Sequence, residues 1–214
     1  MSKSPKAASS RRIKMVEELA MVLLKVKALQ VGTFTLASGK LSSYYIDMRT
    51  VPSFPGAYRY VIDCYLELLK EVGLSNFDAI AGIPTAGLVY SSPVALQLGK
   101  PMVYVRKDEK DYGRMKRIEG TITPGWRILA MDDLITTGHS VLSAVDALRI
   151  EGGEVTDVAV LIDRLEGGGA NLKKQGVKLH CLTDVLEMVD TLRKNDAISK
   201  DAVEAIRSQT GKKD

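Results

Sequence analysis

Cysteine is nearly missing from this chain: Cys64 and Cys181, more than a hundred positions apart, are the two among 214 residues. That excludes a disulfide framework, and no Cys/His cluster offers a zinc site. Both cysteines read as reduced core residues in a reducing, cytoplasmic compartment. No apolar run approaches the roughly 20 residues that cross a bilayer, so no membrane role is expected. The first twelve residues, MSKSPKAASSRR, are basic and Ser-rich without an apolar stretch, and read as a cytosolic terminus, not a secretory leader. A Gly-Lys-Ser/Thr phosphate loop is missing too, which disfavours phosphoryl transfer. The formal net charge of +4 is too small to argue for a nucleic-acid partner. Neither repeats nor a linker divide the chain, so one domain over residues 1–214 is expected.

What is present is ordinary core material, 45% hydrophobic and 26% charged. Arg12–Gln30 reads as an amphipathic helix stopped by Gly32, with Val16, Leu19, Leu23 and Leu24 on one face. Two short extended runs follow, Thr33–Leu36 and Tyr44–Arg49, around Ser38 and Gly39. A second helix starts at Ser53 and Pro55, carries Tyr58, Ile62, Tyr65 and Leu69 on one face, and stops at Gly73. From there apolar strands alternate with helices. The strands are Ala79–Ile83, Met102–Val105, Ile128–Met131, Val155–Ile162 and Lys178–Leu182. The helices are Leu88–Leu98, Gly138–Ile150, Val185–Arg193 and Lys200–Arg207. That alternation predicts an α/β fold, a parallel sheet flanked by helices on both faces. Ligands of such sheets bind beyond the strands' carboxyl ends, here after Ile83, Val105, Met131 and Ile162.

The most informative run is Ile128–Ser140, ILAMDDLITTGHS. An apolar strand ends in adjacent acids, Asp132 and Asp133. Thr136, Thr137, Gly138 and Ser140 then open a helix, where hydroxyls and unpaired N–H groups form a phosphate cradle. Two carboxylates beside it can accept hydrogen bonds from a diol such as ribose. After another strand end, Gly82–Gly87 is built of small residues able to present backbone N–H groups to an anion. Positive charge gathers in Arg106–Arg117, within a polar stretch reaching Gly125, long enough to act as a lid. Arg164 follows the last long strand, where its planar fork suits a carboxylate; an ion pair with Asp163 or Glu166 is the alternative.

The run Ile128–Ser140 resembles the ribosyl-phosphate signature of the type I phosphoribosyltransferases. Phe34–Arg49, FTLASGKLSSYYIDMR, resembles the N-terminal hairpin of the orotate enzymes of that family. The resemblance spans Phe34 to Glu166 and implies a parallel-sheet core from about 55 to 210 under a small N-terminal hood from about 12 to 50, with tails at 1–11 and 208–214. It implies transfer of the phosphoribosyl group of 5-phosphoribosyl 1-pyrophosphate to orotate, forming orotidine 5'-monophosphate in pyrimidine nucleotide biosynthesis. Donor binding falls to Asp132, Asp133, Leu134, Ile135, Thr136, Thr137, Gly138, His139 and Ser140, with Arg106, Lys107, Lys110 and Tyr112 from the basic stretch. Ile83, Pro84 and Thr85 match the pyrophosphate loop. Orotate falls to Thr136, Arg164, Tyr44 and Tyr45. Lys107, Lys110, Asp132 and Asp133 carry the catalytic work. Mg²⁺ is implied, held mainly through substrate and water, and so is a homodimer whose basic loop reaches the partner's site. Tyr112 stands where a His is common, and Ala37 and Ala81 where some members have Lys, leaving less charge for pyrophosphate. The alternatives are a purine phosphoribosyltransferase, disfavoured because purines lack a carboxylate, and a non-catalytic nucleotide-sensing regulator, disfavoured by the intact basic loop.

Overall fold

The computed structural model describes residues 5–35, 39–106 and 117–210. In chain order the elements are α1 (Pro5–Lys25), β1 (Leu29–Thr35), β2 (Leu41–Ile46), a 3₁₀ turn (Met48–Ser53), α2 (Pro55–Val72), β3 (Ala79–Gly82), α3 (Ala86–Leu98), β4 (Met102–Val105), β5 (Ile118–Glu119), β6 (Arg127–Met131), β7 (Leu134–Ile135), α4 (His139–Ile150), β8 (Glu154–Asp163), α5 (Gly168–Lys174), β9 (Lys178–Asp184), α6 (Val185–Lys194) and α7 (Lys200–Gln209). They sort into two compact units: Ile62–Cys181, and the chain on either side of it.

The unit made from the two chain ends holds α1, the antiparallel pair of β1 and β2, and the C-terminal helices. Sequence alone assigns α6 and α7 to the core. In the structure α6 packs on α1, and α7 packs on α6 and β2. Gln209 of α7 accepts from the backbone N–H of Ser43 at 2.9 Å. Two sequence expectations are corrected here. The first helix stops at Lys25, and Leu29 and Gln30 belong to β1. Ala28 and Leu29 are fully buried, so apolar spacing runs on past the true helix end. The reversal is made by Lys27 in the left-handed region, φ 57°, a position with little sequence signal. The second extended run ends at Ile46, because the Asp47 carboxylate accepts from Arg49 N at 3.1 Å and caps the 3₁₀ turn.

The other unit carries a seven-stranded sheet in the order β5-β4-β3-β6-β8-β7, with β9 also paired to β8. All pairs with a recorded register in this sheet are parallel except β4 with β5. Ala79, Ala81, Ile128, Ala130, Val158 and Val160 point into a cluster with Val141, Val145 and Leu148 of α4. Their neighbours Ile80, Leu129, Ala159 and Leu161 are equally buried. Strands covered on both faces need the continuous apolar runs seen in the sequence. β3 to α3 to β4 steps one way across the sheet; β6 to α4 to β8 steps the other. Right-handed crossovers therefore set α3 and α4 on opposite faces, and the direction reverses between β3 and β6.

Away from that reversal, Asp78 at the entry to β3 makes a two-pronged pair with Arg127 at the entry to β6 (2.7 and 3.0 Å) and accepts from its backbone N–H. The guanidinium holds the Asp78 carboxyl down at about 2. A depressed carboxyl stabilises the fold above its unfolded value near 3.8 and loses that contribution as pH falls towards 2. Asp78→Asn is expected to lower the melting temperature at pH 7 and to lower it much less at pH 2. Thermal melts across that range check it; an equal offset at both ends would rule out the charge pair as the cause.

Candidate functional site

In doubly wound sheets the loops at the reversal open a crevice beyond the carboxyl ends of the strands. Here the loops are those after β3 and β6. β6 and β7 run along the same stretch of β8 in one register, Met131 against Ala159 and Leu134 against Ile162. Asp132 and Asp133 are thus a break in one otherwise continuous strand, not merely its end. β7, unseen in the sequence, is the short segment that resumes pairing before the helix.

Past β7, Thr136 and Thr137 lead to Gly138, which precedes α4 with φ 82°, a conformation that L side chains resist. A Cβ there would lie 2.8 Å from a Leu172 methyl. The cradle is backed by α5, a helix with no sequence-level forecast: Asn171 Nδ2 donates to the Thr137 carbonyl at 3.0 Å. Thr137, His139 and Ser140 are exposed, and Thr136 is half-buried. His139 and Ser140, which begin α4, are therefore open to solvent, where an anion site needs its donors.

The two acids are half-buried. Asp133 N donates to the Asp132 carboxylate at 2.9 Å. Burial, and then the neighbouring charge of Asp133 and a side-chain hydrogen bond to it, push the Asp132 carboxyl well above the usual carboxylate range. Two carboxylates this close resist double ionisation, a cost that hydroxyl donors or a nearby cation would relieve.

The loop after β3 comes to the same place. Ile83 N donates to the Met131 carbonyl at 2.9 Å, and the Gly87 N–H, in the first turn of α3, donates to Asp132. Ile83 is buried, Pro84 half-buried and Thr85 exposed. A Cβ on Gly87 would stand 2.7 Å from the Met131 carbonyl and 2.8 Å from Asp132 Oδ1. Gly87→Ala is expected to cost about 1–3 kcal/mol of stability by overpacking. It should also cut turnover up to about a hundred-fold, because the loop must back away from the acids. Melting curves and kcat/KM on the same preparation decide it; unchanged values for both would mean that the loop yields freely.

Arg164 leaves β8 beside the cradle, its N–H donating to the Ile135 carbonyl at 3.0 Å, one residue before Thr136. The side chain is only 9% exposed and pairs with Glu166 at 2.9 Å, while Glu166 keeps 36% exposure. Asp163 accepts from Leu165 N at 2.8 Å. Of the two carboxylates that the sequence offers it, Glu166 forms an ion pair with Arg164, whose backbone N–H bonds to Ile135, the neighbour of Thr136.

The basic stretch is only partly described. Lys107, Lys110 and Tyr112 lie outside the described residues, as does Ala37. Arg106 and Arg117 close its base: Arg106 N donates to the Arg117 carbonyl at 2.7 Å, and β5 follows at once. The polar stretch is therefore not structureless as far as Gly125. Arg106 pairs with Glu119 at 3.1 Å, and Arg117 donates to Ser143 of α4 at 3.1 Å. Ala81 is buried within β3. In the other unit, Tyr44 is fully buried. Tyr45 is half-buried, its ring 5.7 Å from Phe34, and is the tyrosine of the pair with an accessible face.

The model of the phosphoribosyl transferase domain matches residues 58–191, more than half of the chain. The chain belongs to the phosphoribosyltransferase family. An orotate phosphoribosyltransferase of Cenarchaeum symbiosum (strain A) is 41% identical over 184 residues, 86% of this chain and 92% of the relative. The crystal structure of orotate phosphoribosyltransferase from Aeropyrum pernix has a TM-score of 0.71 at 35% identity, covering 82% of this chain and 99% of that one. The structure of Leishmania donovani UMP synthase has a TM-score of 0.81 at 33% identity and covers 91% of this chain, which spans 42% of that longer one. In this phosphoribosyltransferase the acid pair and the β3 loop meet at the reversal point, and the hydroxyl-rich cradle follows the acids by two residues. Sequence reasoning missed two supports of that arrangement: Asn171, and Tyr65, whose hydroxyl donates to the Asp132 carbonyl at 2.8 Å. The glycine triplet 167–169 reads as loop and masks α5; nothing in the sequence separates Tyr65 from a core tyrosine.

Proposed function

We propose that this phosphoribosyltransferase makes orotidine 5'-monophosphate and pyrophosphate from orotate and 5-phosphoribosyl 1-pyrophosphate. The observation that carries the choice of orotate is Arg164, a nearly buried cation at the end of β8 whose backbone N–H donates to the Ile135 carbonyl, just before the cradle. A purine has no carboxylate to meet it. The name of the 41%-identical relative supports the same substrate.

In this reading Thr136–Ser140 hold the 5-phosphate, and Asp132 and Asp133 hold the ribose hydroxyls. Ile83–Thr85 face the pyrophosphate, and Arg164 with Thr136 orients orotate. Tyr45 is assigned to the pyrimidine by the family resemblance alone. The bond from ribose C1 to pyrophosphate oxygen breaks as an orotate nitrogen attacks the opposite face, through an oxocarbenium-like state. No protein nucleophile is needed; positioning and charge stabilisation carry the rate. Mg²⁺ fits the donor set, because an acid pair with a raised carboxyl gains from a nearby cation and Mg²⁺ keeps mostly water and phosphate oxygens. Bound there, it would neutralise charge on the leaving pyrophosphate. Lys107 and Lys110 add to that neutralisation, and the chain works in the cytoplasm as a homodimer.

Loss of orotate absorbance in the presence of donor and Mg²⁺ tests the assignment, with uracil and hypoxanthine as competitors. Consumption of hypoxanthine instead of orotate would overturn it. The shared site has its own test. Lys107→Ala with Lys110→Ala and Asp132→Asn with Asp133→Asn should each be nearly inactive. After subunit exchange, one site of each mixed dimer is whole, so about a quarter of wild-type activity should return for random equal exchange. A loop serving its own chain restores nothing.

A further inference from the structure

The peptide group joining Asp132 to Asp133 is bonded at both ends, and one bond comes from outside the site. Its N–H, belonging to Asp133, donates to the Asp132 carboxylate at 2.9 Å. Its carbonyl, belonging to Asp132, accepts from the Tyr65 hydroxyl at 2.8 Å. The sheet does not use that carbonyl in the usual way. Asp132 N donates to the Ala159 carbonyl at 3.1 Å, as β6 continues along β8. The next acceptor is the Asp133 carbonyl, to which both Leu161 N (3.0 Å) and Ile162 N (3.4 Å) donate. In a regular parallel ladder the acceptor for Leu161 N would be the carbonyl of Asp132. The strand break thus turns one carbonyl out of the ladder, and Tyr65 takes it.

We infer that Tyr65 is a positioning residue for the acid pair, setting the peptide plane on which both carboxylates turn. Rotating that plane changes ψ of Asp132 and φ of Asp133 together, swinging both side chains relative to the cradle. The ring is fully buried in α2, with its centroid 5.6 Å from that of Tyr90, so the oxygen reaches Asp132 from a rigid support. Burial, followed by the charge of Asp133, pushes the phenol well above its usual value, and the hydroxyl stays a donor throughout the working range. A phenylalanine would fill the same core; the oxygen is what the site needs.

This inference rests on the reading that Asp132 and Asp133 hold the donor's ribose. Tyr65→Phe keeps the ring and removes the bond. A matched control lies on the same helix: the Tyr60 hydroxyl donates to the Met15 carbonyl at 3.0 Å, so Tyr60→Phe loses the same kind of bond without touching the acids. Tyr65→Phe is expected to raise KM for 5-phosphoribosyl 1-pyrophosphate about ten-fold and leave KM for orotate within two-fold. Tyr60→Phe should change neither KM, whatever both variants do to the melting temperature. Wild-type kinetics in Tyr65→Phe, or an equal rise in both KM values, would overturn the positioning role. The double variant Asp132→Asn with Asp133→Asn separates the two ideas. If it loses donor use while Tyr65→Phe does not, only the inference fails; if it turns over normally, the ribose reading itself fails.

Discussion

Replacing both acids, Asp132→Asn with Asp133→Asn, is expected to disable donor turnover while making the fold more stable at neutral pH. Each carboxylate bonding a ribose hydroxyl is a charged acceptor worth about 1.5–3 kcal/mol, so losing two should cost roughly 10²–10⁴ in kcat/KM. Stability moves the other way. The folded-state value of Asp132 is raised, mainly by burial and next by Asp133. A raised carboxyl favours the folded protein while protonated. It weighs against folding progressively as pH climbs from the unfolded value near 3.8. Asparagine never ionises, and its amide oxygen can still accept from residue 133 N. The gap in melting temperature, variant above wild type, should therefore widen from acid to neutral pH. Melts from pH 4 to 8 beside donor kinetics make the test. Normal turnover in the double variant would remove the phosphoribosyl site from these residues. A lower melting temperature at pH 7 would show that the acids brace the strand break instead of straining it.

That opposition between stability and function explains what the sequence could and could not show. The acids, the hydroxyl-rich cradle and the small-residue loop are chemically unusual at strand ends, so composition alone flags them. The sheet was legible because strands buried on both faces must be apolar throughout, and helices β3-to-β4 and β6-to-β8 must connect them. β7 was not legible: Leu134 and Ile135 resume pairing for two residues only, too short for any periodicity. α5 hid behind three glycines, which read as loop although Gly168 and Gly169 begin a helix. Lys27 turns the chain in a left-handed conformation where glycine was the expected signal, and the apolar pattern ran through the turn. Tyr65 sits on the apolar face that helical spacing predicts, and its hydroxyl contact is set by tertiary structure alone. Tyr44 and Tyr45 show the converse. Adjacent strand residues point to opposite faces, so the pair could not share one environment, and Tyr44 is the fully buried one.

Arg164→Ala should separate orotate recognition from donor recognition. A charge-assisted, two-pronged bond to a carboxylate is worth about 1.5–3 kcal/mol, so orotate efficiency should fall roughly ten- to a hundred-fold, with KM for the donor nearly unchanged. The difficulty is that Arg164 also pairs with Glu166 at 2.9 Å, and truncating a buried ion-pair partner can destabilise a fold for reasons unrelated to substrate. Glu166→Gln resolves this. It removes the charge partner while leaving the guanidinium in place, and Glu166, more exposed than Arg164, has less to lose by being neutralised. If Arg164 serves orotate, Glu166→Gln keeps orotate use near wild type, whereas Arg164→Ala loses it. Arg164→Lys, which retains a charge but not the planar fork, should fall between them. If the pair is purely structural, Arg164→Ala and Glu166→Gln will lower the melting temperature together and weaken both substrates to the same extent. Steady-state kinetics with each substrate varied in turn, beside melts of the three variants, distinguish these outcomes, because only direct contact with the carboxylate makes the loss specific to orotate.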